Sequence, residues 1–92
     1  MAIGRQQRRT AREARAIQAF GVATSTHVLD LLELVELSWH DCYGDITPPE
    51  DIIDDILFVA DGDLGRLIST ARLAVADWRD LRVAADEQRS RS

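Results

Sequence analysis

The stretch that decides the fold is THVLDLLELVELSWHDCY, residues 26–43, which Gly44 follows. It is long enough for about five turns of helix, and at about 100° per residue one arc of about 120° collects most of its apolar side chains. Three leucines lie outside that arc, so this central helix needs more than one neighbour to cover it. The arc contains Leu31, Cys42, Val35, Val28, Trp39, Leu32 and Tyr43, and the three outside it are Leu29, Leu34 and Leu37.

Length and composition favour one helical domain over residues 1–92. The chain has 46% hydrophobic residues and a net charge of −5. Its single cysteine, Cys42, excludes an intrachain disulfide, and its place on the apolar arc predicts a buried thiol. No apolar run is long enough to span a membrane, and no apolar segment follows the N-terminal arginines as in a signal peptide. We therefore expect a cytoplasmic protein.

The charge is divided unevenly along the chain. Residues 1–20 carry +4 and form a basic arm, whereas residues 21–92 carry −9. Good helix formers over residues 5–20 predict a helix whose arginines share one face. We expect this face to lie against acidic helices of the same chain or of a second copy. A solvated, partly disordered arm is one alternative, and binding of the arm to nucleic acid is another, less favoured one. The basic face consists of Arg5, Arg8, Arg9, Arg12 and Arg15.

Two more helices follow the central one. Residues 48–61 begin after Thr47, which with Glu50 predicts a capping box at a proline-containing helix start. Residues 64–86 carry a continuous apolar stripe after Asp63, a predicted N-cap, and the stripe places Trp78, like Trp39, toward the core. Residues 87–92 are predicted to be a polar tail. Residues 21–25 are predicted to break the chain before the central helix.

These elements predict an all-α fold. Because the connections are short, consecutive helices should be antiparallel. We expect a small antiparallel bundle of three core helices, residues 26–43, 48–61 and 64–86. The basic helix of residues 5–20 is expected to be a looser fourth member.

Two acidic pairs raise the question of a metal site. Glu33 and Glu36 are three residues apart on the central helix, and Asp51 and Asp54 have the same spacing on the next. Carboxylates spaced in this way can hold divalent cations. The pattern resembles the all-α nucleotide pyrophosphohydrolases of the MazG type, which bind magnesium through E-x-x-E and E-x-x-D pairs. The resemblance implies a metal-dependent pyrophosphohydrolase, but Leu32 stands where the first motif opens with a further glutamate, and Asp51 replaces a glutamate.

The preferred functional interpretation is a non-catalytic protein–protein interaction module that associates with itself. It rests on apolar side chains that a bundle of this size has difficulty covering. No cofactor or metal is expected under this interpretation. A metal-dependent pyrophosphohydrolase and a regulatory protein with a nucleic-acid-binding arm remain the alternatives. The predicted partner-binding residues are Leu29, Leu34, Leu37, Phe58, Leu73 and Val83.

Overall fold

The computed structural model describes residues 4–91, which form five α-helices and no strand, so the predicted all-α fold is confirmed. The basic helix has the predicted bounds. The helices are α1 (Arg5–Phe20), α2 (Val22–Tyr43), α3 (Glu50–Ala60), α4 (Leu64–Ala76) and α5 (Trp78–Arg91).

Helix α2 is the central helix, and it packs against both α1 and α4. It begins at Val22, so the break predicted over residues 21–25 is confined to Gly21. Ser25 does not cap the helix, because its hydroxyl lies inside the first turn and donates to the Val22 carbonyl at 2.9 Å. The end agrees with the sequence: Gly44 has φ 82°, a left-handed conformation that glycine adopts without strain, and its N–H donates to the His40 carbonyl.

The capping box predicted for α3 is wrong. The helix begins at Glu50 after Pro49, and no side chain caps it. Thr47 instead accepts a hydrogen bond from Arg12 of α1 at 3.0 Å, and Glu50 also pairs with Arg12 at 3.2 Å. The two residues therefore tie α1 to the start of α3.

The helix predicted over residues 64–86 is two helices, because Asp77 interrupts it. Asp77 has an extended backbone, and its N–H closes α4 on the Leu73 carbonyl at 2.7 Å. Its side chain then accepts from the Arg79 N–H at 3.0 Å, at the start of α5. Helix α5 runs on to Arg91, so the predicted polar tail is helical as far as the structure describes it.

The core lies where α2, α3 and α4 meet, with contributions from α1 and α5. Trp39 is buried as predicted, but Trp78 is 36% exposed beside the break at Asp77. Cys42 is also exposed, which corrects the prediction of a buried thiol. Within residues 4–91, no helix combines the length and the apolar character needed to cross a membrane. The largest fully buried side chains are Leu32, Ile53, Ile56, Leu67, Leu81, Val28 and Pro48.

Gly62 marks a close approach between α1 and the turn from α3 to α4. Its φ is 76°, and a Cβ added there would lie 3.0 Å from the backbone oxygen of Ala19. The absence of a side chain at position 62 therefore lets the end of α1 approach this turn.

The predicted cap of α4 is confirmed, since Asp63 accepts from the Arg66 N–H at 2.9 Å. We expect Asp63→Ala to lower the free energy of unfolding by about 1 kcal/mol, because an N–H of the first turn loses its partner. Urea denaturation measures the change. Asp63→Asn is the matched control, since asparagine caps equally well; equal loss in both variants would contradict the role of the cap.

Candidate functional site

An apolar groove of about 570 Å³ runs between α2 and α4. Val35 and Ala71 are buried at its base, whereas Leu34 is 58% exposed and Ile68 50% exposed. Among the described residues, Arg72 is the one charged side chain that lines the groove. The groove combines exposed apolar side chains with a hollow beside them. Its lining is Leu31, Leu34, Val35, Ser38, Cys42, Tyr43, Ile68, Ala71, Arg72, Val75 and Ala76.

The residues predicted to bind a partner do not form one surface. Leu34 lines the groove, whereas exposed Leu37 lines a crevice beside α1 and exposed Val83 lies on α5. Leu29 is only 5% exposed and belongs to the core, which corrects its assignment as a surface residue. Phe58 and Leu73 are half-buried. Ile68 belongs by its spacing to the apolar stripe predicted over residues 64–86, but it is exposed and contributes to the groove.

The first ionic cluster joins α1, α2 and the start of α3 around two buried side chains, Arg12 and Glu36. They are 2% and 3% exposed. Arg12 Nη1 donates to Glu36 Oε2 at 3.0 Å, and its Nη2 reaches Thr47 and Glu50. Arg8 adds a second guanidinium on Glu36. The polar atoms of both side chains thus have hydrogen-bond partners, which offsets part of the free-energy cost of removing the two charges from water.

The environment of Glu36 keeps it ionised. Burial acts to raise the pKa of this carboxyl, but the hydrogen bonds from Arg8 and Thr47 and the positive charges of Arg12 and Arg8 act more strongly in the opposite direction. The pKa of Glu36 therefore lies below its ordinary value of 4.5.

Most of the basic face is occupied by carboxylates of the same chain. Besides the contacts of Arg8 and Arg12, Arg9 pairs with Asp30 at 2.8 Å and with Glu33 at 3.3 Å, and Arg15 pairs with Asp54. Arg5 is exposed and has no ion pair within residues 4–91. A phosphate backbone would have to displace these carboxylates, which disfavours the nucleic-acid alternative.

The second ionic cluster joins α3 to α5 around Asp55, which is buried. Arg82 Nε donates to one carboxylate oxygen of Asp55 and Arg89 Nη2 to the other, both at 2.7 Å. Arg82 also reaches Asp51 at 2.8 Å. The Arg89 guanidinium lies 4.7 Å from the ring centroid of Phe58. Phe58, which the sequence predicted to bind a partner, therefore stacks with an arginine of α5.

The four carboxylates of the pyrophosphohydrolase alternative do not converge. Glu33 and Glu36 face arginines of α1, Asp54 faces Arg15, and Asp51 faces Arg82. Within the described part of the chain, no three histidine, cysteine or acidic side chains come together in a way that could hold a metal ion. The spacing of the two acidic pairs suggested that the four carboxylates could face one cation, but each of them pairs with an arginine.

A second depression, the aromatic cleft, lies where the end of α2 meets the starts of α3 and α5. Its volume is about 500 Å³. The Trp39 and Tyr43 rings have centroids 4.4 Å apart. Trp39 Nε1 is buried without a hydrogen-bond partner among the described residues, although buried indole N–H groups usually have one. The lining is Trp39, Tyr43, Asp45, Pro49, Asp51, Ile52, Trp78 and Arg82.

Comparison of the chain with protein-family models, with curated proteins and with solved structures found no match in any of the three.

The first ionic cluster can be tested by removing its central charge. Glu36→Gln removes the buried carboxylate from Arg12, which then keeps only the more exposed carboxylate of Glu50, and breaking a buried pair costs about 3–5 kcal/mol. We expect a loss of about 3 kcal/mol in the free energy of unfolding, measured by urea denaturation. Glu33→Gln is the matched control, because its partner Arg9 is more exposed and the expected loss is below about 1 kcal/mol. Similar losses in the two variants would contradict the central position of Glu36.

The lowered pKa of Glu36 also predicts how stability depends on pH. A carboxyl whose folded pKa is depressed contributes stability above its ordinary pKa and loses it as the pH falls through the folded value. The stability difference between the wild type and Glu36→Gln should thus be largest at neutral pH and shrink below pH 4.5. Urea titrations at a series of pH values measure it, and a difference that stays constant into strong acid would contradict the prediction.

Proposed function

We propose that this chain is a non-catalytic interaction module that associates with a second copy of itself through the groove between α2 and α4. The observation that carries the proposal is the exposure of Leu34 and Ile68 on the walls of that groove. Exposed apolar side chains that are contiguous, rather than scattered, are typical of interaction sites.

The shape of the groove favours a second copy as the occupant. A two-fold interface uses the same patch on both partners, so the patch must contain a protrusion and a hollow that fit each other. Leu34 and Ile68 are the exposed side chains, and Val35 and Ala71 lie in the base. Each copy can therefore insert its exposed side chains into the hollow of the other.

Electrostatics also permits this pairing. The chain carries −5, so two copies repel each other over most orientations. Of the residues that the structure describes, those lining the groove include one arginine, Arg72, and no acidic side chain. Complete burial of a leucine or isoleucine contributes about 1.5–3 kcal/mol, and a two-fold interface buries each such residue twice.

The non-catalytic part of the proposal draws on the ionic clusters. Glu36 and Asp55, the buried carboxylates of residues 4–91, each accept hydrogen bonds from two arginines. These bonds join helices and occupy the carboxylate oxygens, whereas a general base must be able to reach a substrate proton.

Size-exclusion chromatography with light scattering tests the proposal. We expect the wild type to have twice the mass of one chain at micromolar concentrations, and Leu34→Glu with Ile68→Glu to be monomeric, because the interface would have to bury two glutamates from each copy against a lining whose one cation is Arg72. Circular dichroism establishes that the variant remains folded. Val83→Glu is the matched control, since Val83 is 55% exposed but lies on α5 outside the groove.

Cys42 supplies a second readout, because the single cysteine is exposed and lines the groove. Its alkylation should slow as the wild-type concentration rises and stay fast in the double variant. A wild type that is monomeric at high micromolar concentration would refute the proposal, as would a Val83→Glu variant that dissociates as completely as the double variant.

A further inference from the structure

The aromatic cleft gathers an unusual share of the aromatic residues. The chain has two tryptophans, one tyrosine and two phenylalanines, and both tryptophans and the tyrosine line this one depression. Trp39 is 4% exposed, whereas Tyr43 and Trp78 are 40% and 36% exposed. The cleft therefore has a buried aromatic side chain with two partly exposed ones beside it. Tyr43 also lines the groove, but neither the groove nor either ionic cluster accounts for the two tryptophans.

The charges in the lining favour a cationic ligand over an anionic one. The lining contains two carboxylates, Asp45 and Asp51, and one guanidinium, Arg82. Arg82 is already occupied by Asp51 at 2.8 Å and by Asp55 at 2.7 Å, so it has little capacity for a ligand anion. Asp45 is exposed and has no ion pair among the described residues. The net charge of −5 adds a weak attraction for cations over the whole molecule.

Aromatic rings beside carboxylates recognise a particular class of cation. The faces of tryptophan and tyrosine attract positive charge through the ring quadrupole, and weakly hydrated alkylated ammonium groups use this interaction best because they leave water readily. A volume of about 500 Å³ lies within the usual range of small-molecule sites, about 300–1,000 Å³. We propose that the aromatic cleft binds the head group of a small quaternary ammonium compound between Trp78 and the Trp39–Tyr43 pair, with Asp45 as the carboxylate beside it.

The intrinsic fluorescence of the protein reports on the cleft directly, because both tryptophans line it. We expect choline to change the fluorescence saturably, whereas sodium chloride at the same ionic strength does not. The neutral isostere of choline, 3,3-dimethyl-1-butanol, should bind at least about fivefold more weakly, since it keeps the shape and loses the charge. Equal binding of the two, or no saturable change with choline, would overturn the proposal.

Calorimetric titration with choline assigns the residues, since it does not depend on the tryptophan signal. Trp78→Ala and Asp45→Asn should each weaken binding by about fivefold, with circular dichroism to establish that each variant is folded. Asp41→Asn is the matched control, because it removes the same charge from an exposed position outside the cleft. Unchanged binding in Trp78→Ala, or equal weakening in the Asp41 and Asp45 variants, would overturn the assignment.

Two further titrations separate this site from other interpretations. Acetate should not compete with choline, and competition would mean that Arg82 holds an anion instead. Leu34→Glu, which alters the groove outside the cleft, should bind choline as the wild type does. Loss of choline binding in that variant would place the ligand in the groove and refute the assignment to the cleft.

Discussion

The contact between Arg12 and Glu36 is the constraint on which the placement of the first three helices depends. Arg12 comes from α1 and Glu36 from the middle of α2, and the same guanidinium reaches Thr47 and Glu50 at the start of α3. A buried guanidinium tolerates few arrangements, because each donor that loses its acceptor costs free energy. Apolar packing supplies the driving force for the bundle, and this pair fixes where α1 lies on it.

The contact also explains how a helix with a thin apolar face is held. Only Ala16 and Arg12 are buried in α1, so burial of apolar side chains alone gives it little attachment. The ion pairs of Arg9 and Arg15 are more exposed, and each is worth about 1 kcal/mol or less. The buried Arg12 therefore distinguishes α1 from a loosely attached arm. Asp55 holds α5 to α3 in a comparable way, with two arginines on one carboxylate.

Hydrophobic periodicity predicted which segments are helical but not how their polar side chains pair. The apolar stripe keeps its helical spacing through Asp77, so periodicity alone could not reveal the break. The residue types marked a helix start there, because aspartate is a good N-cap and Asp80 follows three residues later, at the spacing of a capping box. At Thr47 and Glu50 the sequence predicted a local capping box, but both side chains bind Arg12, which is distant in the sequence.

The arc of α2 included Cys42 and Tyr43, but sequence periodicity could not show that α4 leaves them uncovered. The groove and the cleft were missed for that reason.

Tyr43 belongs to both surfaces, because it lines the groove between α2 and α4 and also the aromatic cleft. Its hydroxyl donates to the Val75 carbonyl at 2.9 Å, and its ring packs on Trp39. One side chain thus forms a wall common to two cavities. An occupant that displaced this ring from one side would change affinity on the other, with the same coupling free energy in both directions, whereas an occupant that left the ring in place would not. Linkage between the two cavities would therefore depend on movement of this one ring, and its sign on the ring position that each occupant prefers.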